Sequence, residues 1–223
     1  MPRSTSNRLI ALANPSSPNY ESYRTLRTNI QFSSVNIPTK VIMVTSSQKG
    51  EGKTMTASNL AVAYAQDGKR VLLVDTDLRN PSLHNVFSLT NRAGLSSVLA
   101  NQAGWQEVIR DTGVENLSIL TSGPIPPNPS ELLGSSRMQG LMEDLKERYD
   151  IIIADTTSVV AVTDTLVLSP LCDGVVLVVA AGKVEKDFVK KAKANLEHAN
   201  ARILGLVLIK SSRKDPGMIK QAK

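Results

Sequence analysis

The sequence predicts an α/β fold, a doubly wound and mostly parallel sheet with helices on both faces. Its short β-rich runs are almost wholly apolar where a half-exposed strand would alternate, and helical segments separate them. Glycines and a lysine stand where the first of these strands turns into a helix, and aspartates stand at the ends of later strands.

The elements follow in order. "SPNYESYRTLRTNIQFS" sets Tyr23, Leu26 and Ile30 at helical spacing beside Glu21, Arg24 and Arg27, so an amphipathic helix is expected before the first core strand, as an arm. Strands are expected at "KVIMVTS", "RVLLVDTD", "NLSILTSG", "YDIIIADT", "GVVLVVAAG" and "RILGLVLIK". "GLMEDLKER" and "DFVKKAKANLEHA" supply intervening helices. Pro124, Pro126, Pro127 and Pro129 make a rigid connection that ends in a capped helix start at Ser130.

A chain of 223 residues suffices for one sizeable core, with no repeat and no internal domain boundary. No stretch reads as a secretory signal, and the most apolar runs are of strand length, so a cytosolic protein is expected. The single cysteine, Cys172, reads as a small buried apolar residue. The net charge of +6 sits largely in "KVEKDFVKKAK" and the last fourteen residues, and reads as solvated surface. Aromatic residues do not interleave with these lysines, which argues against nucleic acid as a partner.

The chemistry concentrates in "SSQKGEGKTMTASNLA". A helix begins with unpartnered N–H groups and a partial positive charge, so a phosphate placed there gains hydrogen bonds and a favourable dipole together. Gly50 and Gly52 let the backbone wrap the anion, and the amides from Gly50 through Glu51, Gly52, Lys53 and Thr54 to Met55 form the expected nucleotide cradle. Lys53 is placed to reach the β and γ phosphates, and the Thr54 hydroxyl to ligate Mg²⁺. Asp75, Asp77 and Asp155 fall at strand ends beside this loop. Carboxylates there suit a metal and the activation of a group attacking phosphorus.

Taken together, these motifs resemble the bacterial tyrosine kinases, specifically the free-standing cytoplasmic type that accompanies capsule and exopolysaccharide synthesis in Gram-positive bacteria. The resemblance runs from about Ser17 to Lys210. It covers the Glu21, Arg24, Arg27 helix, "KGEGKT", "LLVDTDLRNPSLH", "GPIPPNPSELLGS", and "YDIIIADT" followed by "VTD". It implies an ATP- and Mg²⁺-dependent protein-tyrosine kinase on a phosphate-loop fold shared with partitioning and septum-positioning ATPases. It also implies that Lys53 holds the phosphates, that Thr54, Asp77 and Asp155 organise Mg²⁺, and that Asp75 with Asp77 serves the tyrosine hydroxyl. Asp77 is favoured as base, although Asp75 is chemically equivalent. The resemblance implies that Arg79 helps organise the site, whereas on the residues alone it reads as one half of a structural ion pair.

By the same resemblance, residues 1–35 form an arm with an oligomerisation helix, 36–210 the kinase domain and 211–223 a basic tail. Family members form homo-oligomeric rings with Glu21, Arg24 and Arg27 at the subunit contact. A membrane-embedded polysaccharide co-polymerase activates them, placing the kinase peripherally at the inner face of the membrane, and their substrates are protein tyrosines.

The sequence departs from the family pattern at four places, the first being Lys49 where the phosphate loop generally has proline, a tolerable change because the backbone donors remain. Thr157 and Ser158 replace two prolines after Asp155, which predicts a looser loop and slower catalysis. Ile209 replaces an asparagine suited to the adenine edge, and the last residues contain no tyrosine. Two alternatives therefore stand beside the kinase: a nucleotide-binding regulatory paralogue, and a positioning ATPase. Gln48 at the signature-lysine position argues against the ATPase.

Overall fold

A computed structural model of the chain describes residues 9, 14, 16–33, 38–211 and 216–222. In chain order the elements are α1 (Pro18–Ser33), β1 (Val41–Ser46), α2 (Lys53–Ala65), β2 (Val71–Asp75), α3 (Leu83–Val86), α4 (Leu95–Leu99), α5 (Trp105–Val108), β3 (Ile109–Asp111), β4 (Leu117–Leu120), α6 (Pro129–Leu133), α7 (Ser136–Arg148), β5 (Ile151–Ser158), α8 (Asp164–Leu168), β6 (Gly174–Ala181), α9 (Lys186–His198), β7 (Ile203–Ser211) and β8 (Pro216–Ala222).

One sheet runs in the order β3-β4-β2-β5-β1-β6-β7-β8. The six expected strands form its parallel centre, and β3 and β8 close the two edges as antiparallel partners. Three residues are too few to leave a period in the sequence, which explains why β3 was not expected. β8 lies in the segment expected as a basic tail; its backbone pairs with β7.

Alternate residues of each central strand feed two different cores, as a sheet covered on both faces requires. Ile42 and Val44 join Ile153, Val176 and Val178 under α1 and α2, whereas Val41 and Met43 join Ile152, Val175 and Leu177 under α7 and α9. Helix α1 buries Tyr20, Tyr23, Leu26 and Ile30 against the first of these cores. The expected arm is thus packed onto the domain. The connection rich in proline leads into α6 one residue before the expected start, with Asn128 as cap and Pro129 as first helical residue, where a missing N–H costs nothing.

Candidate nucleotide and phosphoryl-transfer site

The loop between β1 and α2 turns on two glycines in the left-handed region, Gly50 at φ 85° and Gly52 at φ 93°. Gly52 is the residue at which α2 begins, so the free amides of the first turn, from Lys53 onward, open toward the carboxyl edge of the sheet. A side chain at Gly52 is opposed by its positive φ, and a Cβ there would lie 2.7 Å from Ile209 Cδ1, so that the end of the isoleucine side chain would have to move. Ile209, expected at the base-recognition position, is thus packed over the phosphate loop.

Strands β2 and β5 pair with Asp75 opposite Asp155, which brings two buried carboxylates together. Lys53 Nζ lies 3.0 Å from Asp77 Oδ2 and 3.9 Å from Asp155 Oδ1. Burial opposes the Lys53 charge, but Asp155 and Asp77 outweigh it and lift its ammonium above the ordinary value. Burial, helped by the charge of Asp155, pushes the Asp75 carboxyl up to about 8. Burial likewise pushes Asp155 up to about 6, with Lys53 working against it.

The three aspartates differ in what they already hold. Asp75 Oδ2 accepts from the Ser82 and Leu83 amides at 3.1 and 3.0 Å and so fixes the start of α3. Asp77 Oδ1 accepts from the Asn80 amide at 2.9 Å, and its side chain lines a cleft of about 600 Å³ together with Lys53, Thr54, Met55 and Thr157. Neither buried oxygen of Asp155 takes a hydrogen bond of ordinary geometry, though the Lys53 ammonium and the Thr54 hydroxyl both act to lower its carboxyl, and Asp75 Oδ1 is likewise unpartnered. Buried acceptors in that state suit a hard cation with its waters, because Mg²⁺ takes one or two carboxylates and completes its shell with phosphate and water. The residues therefore fit a Mg²⁺–nucleoside triphosphate, with the Thr54 hydroxyl, 3.2 Å from Ser82 Oγ, at the start of α2. Other grooves of similar size lie toward the amino end of the sheet and contain none of this machinery.

Residues beyond those expected complete the site. Arg79 forms the anticipated ion pair, binding Asp164 through Nε at 2.8 Å and Nη2 at 3.0 Å, and Ser130 Oγ donates to the same carboxylate. Burial works against the charge of Asp164, but Arg79 and Ser130 outweigh it and hold the carboxyl below its usual range. Three connections around the cleft are tied together by this one acid. Its only sequence signal is its place in "VTD". Thr157 gives a correction: it is strand, not loose loop. Its carbonyl accepts from Thr45 Oγ1 at 2.7 Å and Thr165 Oγ1 at 2.9 Å, so buried hydroxyls restrain a segment that lacks the two prolines.

The Glu21, Arg24, Arg27 set is divided. Glu21 and Arg24 pair with each other at 3.1 Å on the exposed face of α1. Arg27 instead turns into its own chain, donating to the Ala63 carbonyl at 3.0 Å and meeting Asp67 at 3.0 Å. Cys172 is partly buried, and burial pushes its thiol up to about 12.

Comparison with known proteins decides the family. Residues 39–185 match a family model described as an AAA domain. The chain is 46% identical over 200 residues to tyrosine-protein kinase YwqD of Bacillus subtilis, covering 90% of this chain and 84% of that protein. The chain belongs to the bacterial tyrosine-protein kinases. It is also 40% identical to putative tyrosine-protein kinase CapB of Staphylococcus aureus, covering 93% of this chain and 91% of that one. Among solved structures, this kinase superposes on the chimerical protein CapA2B2 with a TM-score of 0.88 at 44% identity, covering 91% of this chain and 89% of that one. The septum site-determining protein MinD of Pyrococcus horikoshii, solved with Mg-ADP, matches with a TM-score of 0.66 at 26% identity, covering 80% and 73%. The kinase thus shares its phosphate-loop fold with the positioning ATPases. Among its described residues no helix is long and apolar enough to cross a membrane.

Proposed function

We propose that this kinase transfers the γ-phosphoryl group of ATP to a tyrosine hydroxyl of a protein substrate in the control of capsular or extracellular polysaccharide synthesis. The observation that carries the reading is the position of Lys53, 3.0 Å from Asp77 and 3.9 Å from Asp155 at the mouth of the glycine-bounded loop. The amides of Gly50 to Met55 and the Lys53 ammonium orient the phosphates. Thr54, Asp77 and Asp155 would hold Mg²⁺, which would supply neutralisation of charge on the phosphate oxygens. Asp77 takes the proton of the tyrosine hydroxyl as its oxygen bonds to the γ phosphorus, and the bond to the bridging oxygen breaks to release ADP. Asp77 lines the cleft and Asp75 does not, which supports Asp77 as the base.

The partner is a membrane-embedded polysaccharide co-polymerase whose cytoplasmic tail activates the kinase and brings it to the inner face of the membrane. Assembly into a ring uses the exposed Glu21 and Arg24, with Arg27 holding α1 against α2 from within. Incubation of the purified protein with labelled ATP, Mg²⁺ and that tail should yield phosphotyrosine, and Asp77→Asn should abolish it while nucleotide still binds. Phosphate release without phosphotyrosine would instead establish an ATPase. Replacing Glu21 and Arg24 with alanine should lower the oligomer mass by light scattering, and a wild type that is monomeric at high concentration would rule out the ring.

A further inference from the structure

Glu51 lies inside the phosphate loop, yet its side chain turns away from the cleft and is almost wholly buried. Its Oε1 accepts from Ser47 Oγ at 2.6 Å and from the Gln48 amide. Its Oε2 accepts from the Ala180 amide, 3.0 Å away on β6. One carboxylate therefore ties the first half of the loop to a strand 129 residues further along the chain. Ala180 pairs with Ile209 of β7, and Ile209 is the residue packed against Gly52. The loop is thus tied to β6 by the hydrogen bonds at Glu51, and the side chain of Ile209 on the neighbouring strand lies close to Gly52.

We infer that Glu51 is a positioning residue that sets the phosphate loop in its anion-binding shape before nucleotide arrives, acting through Ser47, Gln48 and Ala180. This rests on the nucleotide-binding part of the proposed function and is independent of tyrosine transfer. A loop of this kind has to order several backbone amides around one anion, and ordering them in advance removes that cost from binding. A buried carboxylate is suited to the task because it accepts from several donors at once, and charge-assisted hydrogen bonds are the stronger class.

The test reads nucleotide affinity directly, with a fluorescent ADP analogue and Mg²⁺, beside the ATP dependence of activity. Glu51→Ala leaves all three donors without their acceptor and should weaken nucleotide binding by about tenfold or more. In Glu51→Gln the amide keeps Oε1 for Ser47 and Gln48 but sets an NH₂ group against the Ala180 N–H, so only the link to β6 is lost and the loss should be smaller. In both, KM for ATP should rise by a larger factor than kcat at saturating ATP falls, because bound phosphate reassembles the loop. Should the alanine variant fail to fold, as judged by circular dichroism, the glutamine variant and Ser47→Ala decide. Folded variants that bind the ADP analogue within about twofold of wild type would overturn the assignment. A chain that binds nucleotide normally but transfers nothing to tyrosine would overturn the kinase reading alone and leave Glu51 fully testable.

Discussion

Aspartates stand at both ends of the central strands, and the two ends use them differently. At the amino end, Asp173 Oδ2 accepts from the Lys40 and Val41 amides at 2.8 and 2.7 Å, and Asp150 accepts from the Arg70 amide and guanidinium at 2.9 to 3.3 Å. These acids knit neighbouring strands together and are satisfied within the chain. At the carboxyl end, Asp155 and half of Asp75 are buried with no hydrogen bond of ordinary geometry, and the nearest cation is a lysine shared with Asp77. Buried carboxyl groups left in that state cost stability whether or not they are ionised, and they single out the carboxyl end as the place where a ligand would complete the structure.

The comparison can be broken most decisively at Lys53. Lys53→Met should lower tyrosine transfer at least tenfold, about 1.4 kcal/mol or more of transition-state stabilisation, as measured by kcat/KM. Unchanged activity would make the carboxyl end another structural knot. Asp173→Ala should do the reverse, lowering stability by about 1–2 kcal/mol in urea melts through the two unpaired amides while leaving kcat/KM within twofold, a ratio of about 0.4 kcal/mol.

Titration sharpens the contrast because the two ends have opposite signs. The folded Asp155 and Asp75 carboxyls stay protonated up to about 6 and about 8, whereas unfolded aspartates release their protons near pH 4. The folded state therefore binds more protons across that window, and without Mg²⁺ or nucleotide the melting temperature should fall as pH rises from about 4 to 8. Asp155→Asn should flatten the lower part of that slope, and Mg²⁺ with ADP should oppose it.

The smallest effect belongs to Asp150, whose carboxyl Arg70 holds down to about 2. A depressed acid contributes stability that is present above the unfolded value and lost as pH falls toward 2, the opposite dependence. Both side chains of this pair are substantially exposed, so Arg70→Ala should change the acid limb of the stability curve only slightly.

Much of this arrangement was legible in the residues. Unbroken apolar runs announce strands covered on both faces, and the phosphate loop can be read because its requirements are local: glycine where φ is positive, lysine and threonine where α2 begins. Asp75 and Asp77 were readable as a pair at a strand end, but not their division of labour, since one points under α3 and the other into the cleft. Nothing near Glu51 in sequence indicates Ala180, and nothing near Arg79 indicates Ser130. Arg24 and Arg27 look equivalent along α1, yet one faces solvent and the other Ala63 and Asp67.

By itself the sequence determined the class of fold, the anion-binding turn and the acids available to a metal, because each depends on the period of apolar residues or on the backbone freedom of neighbouring positions. Only the tertiary structure decided which acid is satisfied and which is left open, which arginine is turned inward, and how β6 and β7 brace the loop. Those outcomes depend on donors brought near by strand order from far along the chain, and no local pattern encodes such distances.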